Sequence, residues 1–483
     1  MASFRSALKF SYLGGYAVIV FQLLTSMVVA RLLEPSDFGL YSVAMVFAVI
    51  AELIRNFGVS NYIIKEKELT TQKLECALFL LIVTSSFVAG LQFFMAVPIG
   101  NFYNEERLTA VLQLLSLNLV LIPFGAITKS RLRRELRMKE LSIIDVTSNL
   151  VGSLVTLSLA YMGWGVFSLP LGLIAVSLTS VLITFFFRYD DNPKRLRVRG
   201  SKDIFSFSSI VGLTGIVNHI GNSSQDWLLG KLVGMESVGL YSRGSSTVAL
   251  FDRLVSNPVN LLIAPVFATK ANSGEAIVPT YIKLTCIQAS IAWPCLITLA
   301  YFSEPIINLL YGAQWLLVSD LLVWICLAKI LMTITQYANE ILVGVGKASE
   351  VFYANLLMMT VKIAILIACI DLDLVYIVMA VSLSVQTIRL FTYLFILNRS
   401  LKLDVTLLVK KLARVAFVCG LSVSPLLLYD RNEVTLTLVF LPFISLLIWF
   451  FFSKVMKLDV YLEIDRVIER MYLRENFRKY FSR

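Results

Sequence analysis

Fourteen apolar runs, each close to the roughly 20 residues that a membrane-crossing helix needs, follow one another along this chain. They fall near residues 11–30, 39–63, 76–97, 108–128, 142–162, 166–187, 205–230, 238–264, 281–302, 315–343, 351–370, 374–397, 412–428 and 434–453. A bilayer interior offers the backbone no water, so each span must satisfy its own hydrogen bonds. The pattern therefore predicts an all-α polytopic membrane protein with about 14 transmembrane helices. Charged residues make up 16% of the chain and apolar ones 58%, against roughly a quarter and somewhat under half in soluble domains.

Val28–Ala44 reads VVARLLEPSDFGLYSVA, and two hundred residues on Leu228–Gly244 reads LLGKLVGMESVGLYSRG. Leu32 matches Leu232, and Gly39–Ser42 matches Gly239–Ser242. Both copies sit at the tip of the first hairpin of a six-span set, and repeated membrane hairpins point to a transporter. Six is even, so both halves enter from the same face and the repeat is parallel. The expected organisation is an N-terminal lobe over 1–190 (spans one to six), a basic linker over 191–204, and a C-terminal lobe over 205–400 (spans seven to twelve). Spans thirteen and fourteen follow over 401–453, then an amphipathic tail over 454–483.

Lys and Arg number 43 against 32 Asp and Glu. With the N-terminus in the cytoplasm, 31 basic residues fall inside and four (Arg31, Arg107, Lys231, Arg431) outside. The positive-inside rule thus predicts cytoplasmic N- and C-termini, and the basic excess reports orientation rather than a nucleic-acid partner. Arg5 and Lys9 precede the first span, but no small-residue cleavage site follows it, so no cleavable signal is predicted. The six cysteines lie scattered through apolar runs with no CxxC pair, as buried packing residues do.

Eight basic residues fall within spans. Arg243, Lys283 and Arg414 lie near helix ends, where long stems reach the interface. Arg55, Arg253, Lys329, Lys362 and Arg389 lie deeper, where a charge costs several kcal/mol unless it meets a partner or a wet cavity. Two deep acids, Glu52 and Asp252, again stand two hundred residues apart. Glu52 and Arg55 are spaced to pair at i, i+3, so each acid either neutralises its neighbour or couples the cycle to an ion. Five deep cations against two acids leave a positive surplus, which predicts a cavity for an anionic headgroup. His219, Asn222, Gln225 and Asp226 make span seven too polar to face lipid and are expected to form a gate segment, His219 alternatively serving as a satisfied structural histidine. No nucleophile elbow, HExxH or phosphate-cradling glycine loop occurs, so no catalytic or metal site is expected.

The stretches ARLLEPSDFGLYSVA, RNFGVSNYIIKEKELT (Arg55–Thr70), LSLNLVLIPFG with KSRLRRELRMKELSIIDV (Leu115–Val146), NPVNLLIAPVFA (Asn257–Ala268), NLLYGAQW (Asn308–Trp315) and ILVGVGKASEVFYAN (Ile341–Asn355) resemble the polysaccharide transporter family. This is the lipopolysaccharide and exopolysaccharide exporter branch of the multidrug/oligosaccharidyl-lipid/polysaccharide flippase superfamily. The resemblance implies two six-helix lobes plus two helices. It also implies a multi-pass protein of the bacterial inner membrane that flips undecaprenyl diphosphate-linked oligosaccharide units outward by alternating access, for O-antigen, capsule or exopolysaccharide. Such a protein is no enzyme and needs no cofactor; a proton gradient, a sodium gradient or the membrane potential would drive it. Its expected partners are the polyprenyl diphosphate-linked oligosaccharide, membrane lipids and polysaccharide polymerase machinery. Two other functions compete. A multidrug exporter of organic cations would carry more deep acids than bases, and a polysaccharide polymerase would carry a sizeable outer loop.

Overall fold

The structure, a computed structural model, describes residues 2–56, 68–187, 219–250 apart from 222, 277–428 and 437–462, with single positions between these stretches. Every regular element among the described residues is helical. In chain order these are α1 (Ala2–Leu32), α2 (Pro35–Asn56), α3 (Thr71–Tyr103), α4 (Glu106–Leu121), α5 (Pro123–Arg134), α6 (Met138–Tyr161) and α7 (Ser168–Phe186). Helical stretches over 219–232, apart from 222, and 235–250 follow. Then come α8 (Ile277–Tyr301), α9 (Ser303–Tyr311), α10 (Leu317–Ile334), α11 (Ala338–Gly344), α12 (Ala348–Ala368), α13 (Leu374–Leu401), α14 (Val405–Val423) and α15 (Thr437–Val455).

Among the described residues nine helices are long and apolar enough to cross a membrane, or ten if the bent pair α4–α5 counts as one span. That pair turns by 52° at Pro123. Proline has no N–H to bond and its ring clashes with the preceding turn, so the helix kinks there. Large apolar side chains point outward, including Phe94 at 77%, Phe186 at 85% and Phe391 at 68% exposure, as in a protein whose solvent is lipid. Most of the expected amphipathic tail beyond 462 lies outside the described residues, as does much of expected spans seven and eight.

Several boundaries differ from the sequence expectation for local reasons. α2 begins at Pro35, one turn before Gly39, because a proline at the first helical position loses no hydrogen bond. Expected span ten is one stretch long and apolar enough to cross, Leu317–Gly344, with a turn at Thr335–Tyr337 between α10 and α11. The connection between expected spans nine and ten is itself the helix α9 and a 3-10 turn. The basic stretch after span four continues as helix α5 to Arg134. Its charges are tied down: Arg134 donates to the Ile63 carbonyl at 2.8 Å, Lys129 pairs with Asp145 at 3.0 Å, and the Arg131 guanidinium lies 3.9 Å from the Tyr189 ring centroid. Tyr189 donates to Glu135 at 2.7 Å, and burial pushes its phenol above the ordinary range.

The contacts divide the chain into two units, 1–242 with 310–314, and 243–309 with 315–483. In the first, α1 lies along α6, α6 along α7, and α3 along α4. The closest of these approaches uses small residues: a Cβ on Gly172 would stand 1.8 Å from the Thr156 hydroxyl. In the second unit α10 packs on α8 and α13, α12 on α13, and α14 on α8 and α15. Its apolar core gathers Tyr281, Trp293, Tyr337, Tyr393, Leu412 and Val418. All six cysteines are free.

Candidate functional site

The two copies of the repeated motif touch each other within the first unit, through the very letters they share. A Cβ on Gly39 would lie 1.6 Å from the Met235 carbonyl oxygen and 2.9 Å from the Gly239 nitrogen. Reciprocally, a Cβ on Gly239 would lie 1.8 Å from the Pro35 carbonyl oxygen and 3.0 Å from the Gly39 nitrogen. One turn on, the Ser42 hydroxyl donates to the Ser242 hydroxyl at 2.8 Å. Residue i meets j while j meets i, the signature of a two-fold contact. Only glycine admits backbones this close, so Gly39–Ser42 recurs as Gly239–Ser242 because it is the contact surface.

Polar groups brace this end of the first unit. Arg107 donates to Asp37 and Glu105, each at 2.9 Å. Tyr103 donates to the Trp227 carbonyl at 2.9 Å, and Lys231 reaches the Phe102 carbonyl. The Gln314 amide donates to the carbonyls of Ala30 and Leu33, capping the end of α1. A Ser42→Cys/Ser242→Cys pair, in a background stripped of the six native cysteines, is expected to form a disulfide, since two hydroxyls in contact bring their Cβ atoms into bridging range. Gel mobility with and without reductant checks it; two thiols that stay separate under oxidant would contradict the contact.

Deeper in the first unit, Arg55 is only 2% exposed whereas its partner Glu52 is 49% exposed, and Arg55 Nη2 meets Glu52 Oε1 at 3.4 Å. Arg55 Nε and Nη1 find no acceptor. Its backbone carbonyl accepts from Thr84 at 3.3 Å, which ties α2 to α3. The Nε2 of His219 lies 3.3 Å from the Val46 carbonyl and 3.5 Å from the Ser223 hydroxyl. Gln225 is buried with Nε2 unmatched, and Asp226 has polar partners of its own. Asn222 and Asp252 lie outside the described residues.

The other predicted cations belong to the second unit. Arg253 is exposed, and Lys362 is half-buried on α12 with partners of its own. Lys329 on α10 places Nζ 3.9 Å from the Met332 sulfur. Arg389 on α13 stands 5.4 Å from the Tyr393 ring centroid, with Nε lacking an acceptor. Around it lies a polar interior that charge counting missed. Tyr393 donates to Asn339 and, at 3.1 Å, to Asn355. Tyr337 donates to Gln288 at 3.1 Å, and Tyr281 to the Ile334 carbonyl at 2.8 Å, where α10 breaks. A run of Tyr, Asn and Gln inside apolar spans was the available signal, because buried polar groups need partners. Among the described residues no group of three or more His, Cys, Asp or Glu comes together.

These features meet a family already described. The model of a family described as "Polysaccharide biosynthesis protein" matches residues 28–320. The teichuronic acid biosynthesis protein TuaB of Bacillus subtilis (strain 168) is 23% identical over 358 residues, 72% of each chain. The lipopolysaccharide biosynthesis protein WzxC of Escherichia coli (strain K12) is 23% identical over 353 residues, again 72% of each. Among solved structures, the lipid II flippase MurJ in its inward closed conformation shares the fold at a TM-score of 0.74 and 14% identity, covering 92% of this chain and 98% of that one. With more than half of its length matched, the chain belongs to the polysaccharide biosynthesis protein family, and its fold is that of the lipid II flippase MurJ.

Proposed function

We propose that this protein is a flippase that carries undecaprenyl diphosphate-linked oligosaccharide units from the cytoplasmic to the outer face of the inner membrane by alternating access, for surface polysaccharide synthesis. Each unit holds a deep guanidinium with unmet N–H groups, Arg55 Nε and Nη1 in one and Arg389 Nε in the other, and this observation carries the reading. A buried unmatched donor costs about 1–3 kcal/mol, more when it is charged. Such an arrangement persists where an acceptor arrives during function, and a diphosphate supplies several oxygens to a guanidinium fork. Family membership and a fold shared with a lipid II flippase support the same substrate class. Arg253, Lys329 and Lys362 complete the anion-facing set, while Glu52 and Asp252 balance charge as the cycle turns. His219, Asn222, Gln225 and Asp226 form the gate segment, both termini face the cytoplasm, and no bond is made or broken.

The test is transfer in proteoliposomes that contain the purified protein and a fluorescent polyprenyl diphosphate oligosaccharide. Protein-dependent movement of the labelled lipid to the opposite leaflet is the expected result. Transport of a lipophilic organic cation without movement of the lipid-linked sugar would overturn the reading.

A further inference from the structure

A cavity of about 490 Å³ opens between the start of α12 and the end of α13, lined by Lys347, Glu350, Tyr353, Leu357, Phe395 and Arg399 among others. Its mouth is polar and its flank apolar. At the mouth both oxygens of Glu350 are engaged: Lys347 Nζ meets Oε1 at 3.1 Å and the Ser400 hydroxyl donates to Oε2 at 3.0 Å. Arg399 is exposed, and its charge acts on the same Glu350 carboxylate. Lys347 spends one of its three ammonium donors on Glu350. Two cations against one anion leave a local surplus of one positive charge. Beside these charges, the rings of Tyr353 and Phe395, 67% and 66% exposed, flank an open apolar groove that continues along the outward face of both helices with Leu357 and Phe391.

We infer that this groove binds an anionic glycerophospholipid of the phosphatidylglycerol type, its phosphate on Arg399 and Lys347 and an acyl chain between α12 and α13. A phosphodiester carries the single negative charge that the surplus lacks. An open apolar groove beside the cations fits a ligand that joins phosphate to hydrocarbon. The charge balance sets the preference: the ammonium of a zwitterionic headgroup would meet two cations beside a single carboxylate that already accepts from Lys347 and Ser400. The positive-inside pattern assigns this end of α12 and α13 to the cytoplasmic face, where anionic lipids draw basic side chains. The inference is independent of the flippase reading, since it concerns a lipid held at the side of the second unit rather than a transported one.

The experiment is native mass spectrometry of the full-length protein, titrated with phosphatidylglycerol, phosphatidylethanolamine or undecaprenyl diphosphate. Arg399→Gln is expected to weaken phosphatidylglycerol binding about fivefold, the effect of one basic residue at an anionic surface. Glu350→Gln, which releases both cations from their internal anion, is expected to strengthen it. Opposite signs from two changes at one groove separate ligand binding from loss of fold, which would weaken both. Equal retention of phosphatidylethanolamine, no change in Arg399→Gln, or weakening in both variants would overturn the site. Displacement of phosphatidylglycerol by undecaprenyl diphosphate at lower concentration would overturn it too, reassigning the groove to the substrate.

Discussion

Gly39→Val and Gly239→Val are each expected to abolish export while the protein still inserts in the membrane. At either position the first side-chain carbon alone would fall 1.6 or 1.8 Å from a carbonyl oxygen of the opposing helix. The obstruction is backbone, which cannot rotate away as a side-chain end would, so the two helices must separate. Separation also breaks the Ser42–Ser242 hydrogen bond one turn on. In an alternating-access cycle one end must seal while the other opens, and the braces at Asp37, Arg107 and Gln314 hold the same end. Because the contact is reciprocal, the two substitutions should be equally severe, and the double substitution no worse than either. The check is surface polysaccharide in cells complemented with each variant, alongside the disulfide yield when the Ser42→Cys/Ser242→Cys pair is added to it. Export at the unsubstituted level, or one position tolerant and the other not, would defeat the two-fold contact as a functional element.

The sequence showed that Gly39–Ser42 and Gly239–Ser242 correspond; it did not show that they touch. Correspondence is a pattern along one dimension, whereas contact depends on how α2 and the stretch 235–250 cross, which no local periodicity encodes. The all-α membrane class was legible because every span must satisfy its own backbone, leaving long apolar runs as the trace. Helix breaks were less legible. The expected span ten runs through Thr335–Tyr337 although Thr335, Gln336, Asn339 and Glu340 are polar, and the Ile334 carbonyl at the break is met by Tyr281 from α8. Charge counting found Arg55 and Arg389, since a deep cation is conspicuous in any apolar run. It passed over Tyr337, Tyr393, Asn339 and Asn355, whose uncharged polar groups are cheap enough to hide in a span and acquire meaning only when paired in space. The basic stretch 129–139, beyond the end of expected span four, is the opposite case. Its density of charge reads as loop, yet Arg131 stacks on Tyr189 and Arg134 caps a carbonyl, so the helix continues.

Arg55→Met is expected to eliminate export without lowering thermal stability. Arg55 is 2% exposed, two of its three nitrogens have no acceptor, and its one ionic contact is a 3.4 Å approach to a carboxylate that is half in the open. An interior charge so poorly matched contributes little to folding; replacing buried ionic groups by apolar ones of similar volume is often neutral or stabilising by about 1–4 kcal/mol. Methionine also fills the space of the aliphatic stem without strain. If Arg55 served the fold, the variant would melt early and its low export would follow from low abundance. If it serves a passing diphosphate, stability and export part company, and Arg55→Lys, which retains charge but loses the fork, should recover only part of the activity. The neighbouring acid supplies the control. Should Glu52→Gln combined with Arg55→Gln restore the export lost in either alone, the pair would be structural glue and the anion-binding role of Arg55 would fail. Persistent loss in the double variant, with melting temperatures at or above that of the parent, is the outcome that the unmet N–H groups predict.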